Sequence, residues 1–152
     1  MKAFLSATEG SWEPVRDTNR PHKYLETLKF ISILDGRFEI SQQILRNQKG
    51  EIIYRDFVIF GIDPDTRKLF LNAYNTDGSI DRTRETESRP GQWVFLGTVY
   101  GSAQFRDYRY TMTQLDGGRL RILVELLNDG KYEKHSDVSY ERTSRTNTAQ
   151  IE

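Results

Sequence analysis

Hydrophobic and polar positions alternate along this chain in short blocks, and turn residues punctuate the blocks at even intervals. The blocks "YLETLKFISIL", "RFEISQQIL", "IIYRDFVIFGI", "KLFLNAY", "QWVFLGTVY", "FRDYRYTMT", "RLRILVELL" and "YEKHSDVSYER" are rich in β-branched and aromatic residues, the types that suit a pleated, half-buried surface. With "SWEPVR" as a first strand and "SIDRTRETE" as a polar one, the count is about ten strands. Helical periodicity is poor except over residues 2–8, where a single helical turn can plug one end.

Between the blocks stand Asp35-Gly36, Lys49-Gly50, Asp63-Pro64, Asp77-Gly78, Pro90-Gly91, Asp116-Gly117 and Asp129-Gly130. Asp-Gly pairs supply the positive φ of a tight hairpin, and Pro at the second position suits a type I turn. Hairpin connections at a near-constant spacing imply consecutive antiparallel pairing. A ten-stranded meander leaves two long unpaired edges unless it closes. The expected fold is therefore all-β: one antiparallel up-and-down barrel of about ten strands over residues 1–142. The polar segment 143–152, "TSRTNTAQIE", lacks the apolar content to pack and reads as a flexible tail.

Composition narrows the function classes. Lys plus Arg number 22 and Asp plus Glu also 22, so no net field draws in nucleic acid or an anionic membrane. Cysteine is absent, which removes disulfides and thiol chemistry. No apolar run is long enough for a membrane helix and no signal-type segment opens the chain, so the expectation is a cytoplasmic protein. There is no Gly-rich phosphate loop, HExxH motif or GxSxG elbow, and two histidines are too few for a three-His metal site.

"GSW" at Gly10–Trp12 and "YER" ending at Arg142 carry a resemblance. They are similar to the signature of calycin barrels, the group of lipocalins, fatty-acid-binding proteins and nitrobindins. In lipocalins the Trp lies across the closed end beneath an Arg of the last strand, and the resemblance implies that Trp12 and Arg142 close this barrel. Together with "LDGRF", "GIDPDTRKL" and "DVSYERT", the pattern also resembles an uncharacterised bacterial family of such barrels over nearly the whole chain. The chain departs from its better-known relatives: residues 17–23 are too few for the helical lid of fatty-acid-binding proteins, and nitrobindin-type glycines are replaced by "EPVRD".

Four stretches are candidates for chemistry. In "FRDYRYTM" the two-residue period places Arg106, Tyr108, Tyr110 and Met112 on one face, the more apolar one, which is expected inward. An inward Arg and Tyr resemble the Arg-x-Tyr pair that holds a carboxylate in fatty-acid-binding proteins. An inward Arg106 needs a partner, either a ligand carboxylate or Asp56 or Glu125. His135, seven residues before Arg142, resembles the haem-ligating His of nitrobindins, although its neighbours Lys134 and Asp137 read as solvated. "IIYRDFVIFGI" is apolar on both faces, and its outward stripe is expected to form a homodimer, with Leu123 and Leu127 of "ILVELL" as an optional second contact and cover by a short N-terminal helix as the alternative. "DRTRETESR" reads as a solvated edge or flap strand.

The leading expectation is a binding protein for a small, mainly apolar molecule, with a carboxylate or other anionic end as one option. Arg106, Tyr108, Tyr110, Asp56 and His135 are the candidate ligand contacts. The alternatives are an isomerase or cyclase using the same lumen, haem binding through His135, and a ligand-free interaction module. The fold alone does not choose among them.

Overall fold

The computed structural model describes residues 2–15, 24–101 and 107–143. Within them a helix, α1 (Lys2–Thr8), precedes ten strands: β1 (Gly10–Pro14), β2 (Leu25–Ile33), β3 (Phe38–Arg46), β4 (Ile52–Ile62), β5 (Leu69–Asn75), β6 (Ile80–Arg89), β7 (Gln92–Tyr100), β8 (Asp107–Gln114), β9 (Leu120–Asn128) and β10 (Lys131–Arg142). Every strand pairs antiparallel with its neighbours in sequence, and β1 also pairs with β10, so the sheet closes. The expected closed antiparallel barrel with a short N-terminal helix is the fold observed. The polar tail beyond Thr143 and the site candidate Arg106 lie outside the described residues.

Turn chemistry accounts for the register. Asp129 (φ 46°) and Gly130 (φ 77°) form a two-residue hairpin in which Asn128 faces Lys131, the mirror-image turn whose twist matches the strands. At Asp63-Pro64 the Asp63 carboxylate accepts the backbone N–H groups of Asp65 and Thr66 at 2.9 and 3.0 Å. Such a side chain stands in for a turn carbonyl. Gly61, between Phe38 and Phe70 on the neighbouring strands, leaves room for both rings; a Cβ there would lie 2.6 Å from Phe70 and 2.8 Å from Phe38.

The two ends of the barrel differ. The end bounded by the β2–β3, β4–β5, β6–β7 and β8–β9 turns is filled. Phe4 of α1 lies 5.1 Å from the ring of Phe60 and 5.2 Å, edge-on, from Trp93, above Phe30, Phe95, Met112 and Leu120. Aromatic pairs in this geometry add to the free energy of burial itself. Arg142 pairs with Trp12 across the β1–β10 seam and its guanidinium lies 4.7 Å from the Trp12 ring centre. The same guanidinium donates to the carbonyls of Ser6, Ala7 and Glu9 at 3.2, 3.2 and 2.6 Å. These carbonyls have no further helical turn to bond them, and a cation is the partner that a helix C-terminus prefers. Trp12 Nε1 donates to the Thr8 carbonyl at 2.7 Å. The cation–π contact alone stabilises by about 0.5–2 kcal/mol.

Two expectations are corrected here. "DRTRETESR" is not an edge: β6 is paired with both β5 and β7, and Thr83 is buried with its hydroxyl donating to the Leu71 carbonyl at 3.0 Å. The outward residues of β4 and β9 also do not form one continuous face, because each strand lies five strands from the other in both directions around the barrel. The outward residues Phe57 and Ile59 of β4 are half-buried, whereas Ile53 is exposed.

Beneath α1 sits a carboxyl that sequence reading passed over. Glu39 is fully buried, and its two oxygens both lie 2.8 Å from Thr8 Oγ1, which also lies 2.8 Å from the Phe4 carbonyl. One hydroxyl proton cannot serve all three. A protonated Glu39 donating to Thr8, which donates to Phe4, satisfies the set. Burial is the main cause that pushes the Glu39 carboxyl up to about 8, against the bond from Thr8 and with a small contribution from the charge of Glu9. The folded state therefore holds a proton that the unfolded chain releases near its ordinary value of 4.5. This contribution to stability is complete below that value and is lost as pH rises through about 8. Accordingly, the melting temperature should fall between pH 5 and pH 9 and the fall should be shallower in Glu39→Gln, which keeps a neutral donor at that place. Equal slopes by calorimetry would show that Glu39 is ionised in the fold.

Candidate functional site

The opposite end of the barrel is hollow. A cavity of about 490 Å³ lies above the aromatic layer, of the size that small-molecule sites have. Strand alternation determines what faces it. On β4, Tyr54, Asp56 and Val58 point inward; on β8, Tyr108 and Tyr110 do so, with Met112 below them in the core. Gly97 of β7 faces the same interior, where a Cβ would lie 2.3 Å from Thr83 Cγ2, so the wall closes there only without a side chain.

The lining changes character with depth. Nearest the filled end it is apolar, with Leu28, Val58, Leu71, Ile122 and Val124. Nearer the open end three carboxyls come in from three strands: Glu26 of β2, Asp56 of β4 and Asp81 of β6. Each is held by neutral donors. The backbone N–H of Gln43 donates to Asp56 Oδ1 at 3.0 Å, and the Tyr54 hydroxyl lies 3.5 Å from Oδ2 while bonding Asn75 Oδ1 at 3.0 Å. Asn75 Nδ2 and the Tyr108 hydroxyl donate to Asp81 at 3.2 and 3.3 Å. Gln43 Nε2 and the Tyr140 hydroxyl both donate to Glu26 Oε1 at 2.5 Å. The Tyr110 hydroxyl faces the same cavity and, among the described residues, takes part in no hydrogen bond.

Desolvation and neighbouring charge shift Asp56 and Asp81. Burial, and next in the same direction the charge of Asp81, push Asp56 up to about 7 against the lowering bond from Gln43. Asp81 is raised by burial against its bonds from Asn75 and Tyr108. Burial raises the hydroxyls of Tyr54, Tyr108, Tyr110 and Tyr140 as well, so they remain neutral donors.

Of the residues singled out from the sequence, Asp56, Tyr108, Tyr110 and His135 line this cavity together. Arg106 precedes β8 and lies outside the described residues. Glu125, considered as its partner, faces outward and binds Arg109 through two bonds at 2.6 and 2.8 Å. His135 is exposed, at the bulge between Lys134 and Ser136. Glu26, Asp81, Tyr54 and Tyr140 were missed, and for the two tyrosines the alternation of their strands was the available signal. Haem does not fit the described donor set: the carboxyls of Glu26, Asp56, Asp77 and Asp81 line the space, and no Lys or Arg among the described lining residues would meet its propionates. Among the described residues no cluster of His, Cys, Asp and Glu is arranged to hold a metal ion.

The crystal structure of Rv2717c from M. tuberculosis is similar, with a TM-score of 0.69 at 18% identity, over 92% of this chain and 95% of that one. At that identity the likeness shows a shared fold. No protein-family model and no curated protein matches the chain. No helix among the described residues is long and apolar enough to cross a membrane.

The charge of Asp81 is one cause of the raised Asp56 carboxyl, so removing it has a definite sign. In Asp81→Asn the Asp56 titration, followed by carboxyl carbon chemical shift, should move to lower pH. An unchanged midpoint would mean that the charge of Asp81 does not contribute to it.

Proposed function

We propose that this protein binds a small, mainly apolar molecule in the barrel lumen. The observation that supports the reading is the hollow half of the barrel, an apolar floor beneath convergent polar groups in a fold whose other half is packed solid. A barrel that served only as a scaffold gains nothing from three carboxyls in its interior, since each costs desolvation free energy. The anionic ligand end considered from the sequence is disfavoured by the same carboxyls. Kinship with the calycin barrels is part of this reading, supported by the Trp12–Arg142 contact. So are a cytoplasmic setting and, on β4 alone, a homodimer through exposed Ile53.

The test is native mass spectrometry of gently purified protein beside Val124→Phe, which places a ring in the hollow. A stoichiometric adduct on the parent protein that is lost in a folded Val124→Phe supports the reading. A bare parent protein that also fails to take up any apolar probe would refute it.

A second reading, an isomerase or cyclase, is favoured by one observation. Asp56, held near pH 7 within reach of Tyr54, is suited to hold or release a proton. Such an enzyme would show a rate that changes through pH 7 and is lost in Asp56→Asn; a pH-independent rate would exclude Asp56 as the proton carrier.

A further inference from the structure

We propose that the lumen selects an organic cation: an apolar body bearing a protonated amine, whose N–H groups are taken up by Asp56, Asp81 and Glu26. The inference rests on the lumen-binding reading and gives it a ligand class.

The argument begins with the distribution of charge across the barrel wall. Basic side chains pair on the outside, Arg109 with Glu125 at 2.6 Å and Arg121 with Asp137 at 2.7 Å. Inside, Glu26, Asp56 and Asp81 share one cavity with Asp77 of the β5–β6 turn, and none of the described lining residues is a Lys or Arg. Their protein partners are amides and phenols, which satisfy hydrogen bonding without neutralising charge. Carboxylates partly withdrawn from water gain from a counter-charge, and an acidic lining with no Lys or Arg among its described residues is complementary to a cation brought in by the ligand. An anionic head would add a further negative group to this space.

An independent feature points to the same class. The Tyr110 hydroxyl is turned into the cavity and unpaired among the described residues, so a lone pair is available to a donor. Its ring and those of Tyr54, Tyr108 and Tyr140 line the same volume. Tyrosine faces attract ammonium groups by about 0.5–2 kcal/mol each when desolvated. An amine is therefore met by carboxyl oxygens, a free phenol oxygen and π faces together.

Depth orders the ligand. Glu26, Asp56 and Asp81 all stand within a few residues of the open ends of β2, β4 and β6, while Leu28, Val58 and Ile122 lie farther in. The apolar end enters first, and the ammonium stops at the acidic collar.

The test uses three fluorescent probes with one dansyl-alkyl body: dansylcadaverine (ammonium), N-dansylhexylamide (neutral) and N-dansyl-6-aminohexanoate (carboxylate). Dansylcadaverine should bind at least about tenfold more tightly than the neutral probe, with the carboxylate weakest. Asp56→Asn and Asp81→Asn should each reduce the ratio of ammonium to neutral probe affinity, with circular dichroism reporting an intact fold. Equal binding of ammonium and neutral probes, or tightest binding of the carboxylate, would overturn the proposal and leave the lumen reading standing. If no probe gives an emission change that Val124→Phe abolishes, the lumen reading fails and takes this inference with it.

Discussion

A sheet that closes on itself must join its first strand to its last, and the rest of this structure depends on that joint. The joining strand β1 has only five residues, with three paired positions on either side. So short a seam is weak by hydrogen bonding alone. Trp12 sits at the centre, opposite both Arg142 and Leu28, and its ring is covered by the Arg142 guanidinium. Because that guanidinium also bonds three carbonyls at the end of α1, seam, plug and core floor form one unit. Hydrogen bonds to a charged group contribute about 1.5–3 kcal/mol each where well made. Loss of one side chain would loosen three parts of the fold at once.

The floor and the hollow divide the work of the barrel. Phe4, Trp12, Phe30, Phe60, Trp93 and Phe95 supply the buried apolar area at one end. The other end carries groups that oppose folding: three carboxyls and four phenols partly withdrawn from bulk water. Their placement makes sense only because the aromatic half is dense enough to hold the strands in position around them. Glu39 marks the limit of this arrangement, since it lies within the dense half and is accommodated there by keeping its proton.

Much of the fold was legible because its signals are local. An Asp-Gly pair demands positive φ wherever it falls, and seven turn pairs announced the hairpins without reference to distant residues. The period of two placed Tyr108 and Tyr110 correctly, since apolar area on one face of β8 decided the direction. The acids were illegible for the opposite reason. Asp81 stands in a strand of alternating charges, and nothing in "DRTRETESR" says that its face with Thr83 turns inward. That follows from the pairing of Asp81 with Ala73 and Val99 on neighbouring strands, which is tertiary information. Glu26 and Glu39 were hidden in the same way, each reading as the polar half of an alternation. Angular position around the barrel was equally invisible, which is why β4 and β9 could be imagined on one face.

One bond joins the two halves of this account. Tyr140 of β10 donates to Glu26 of β2, and these strands flank β1, so the bond spans the seam from within. Glu26 is at once a member of the acidic collar and a stitch across the closure. A guest that draws on Glu26 competes with Tyr140 for its oxygen, so occupancy of the lumen and breathing of the seam become linked quantities. The linkage is reciprocal: whatever loosens the join must alter the grip on the guest by the same factor as the guest alters the join.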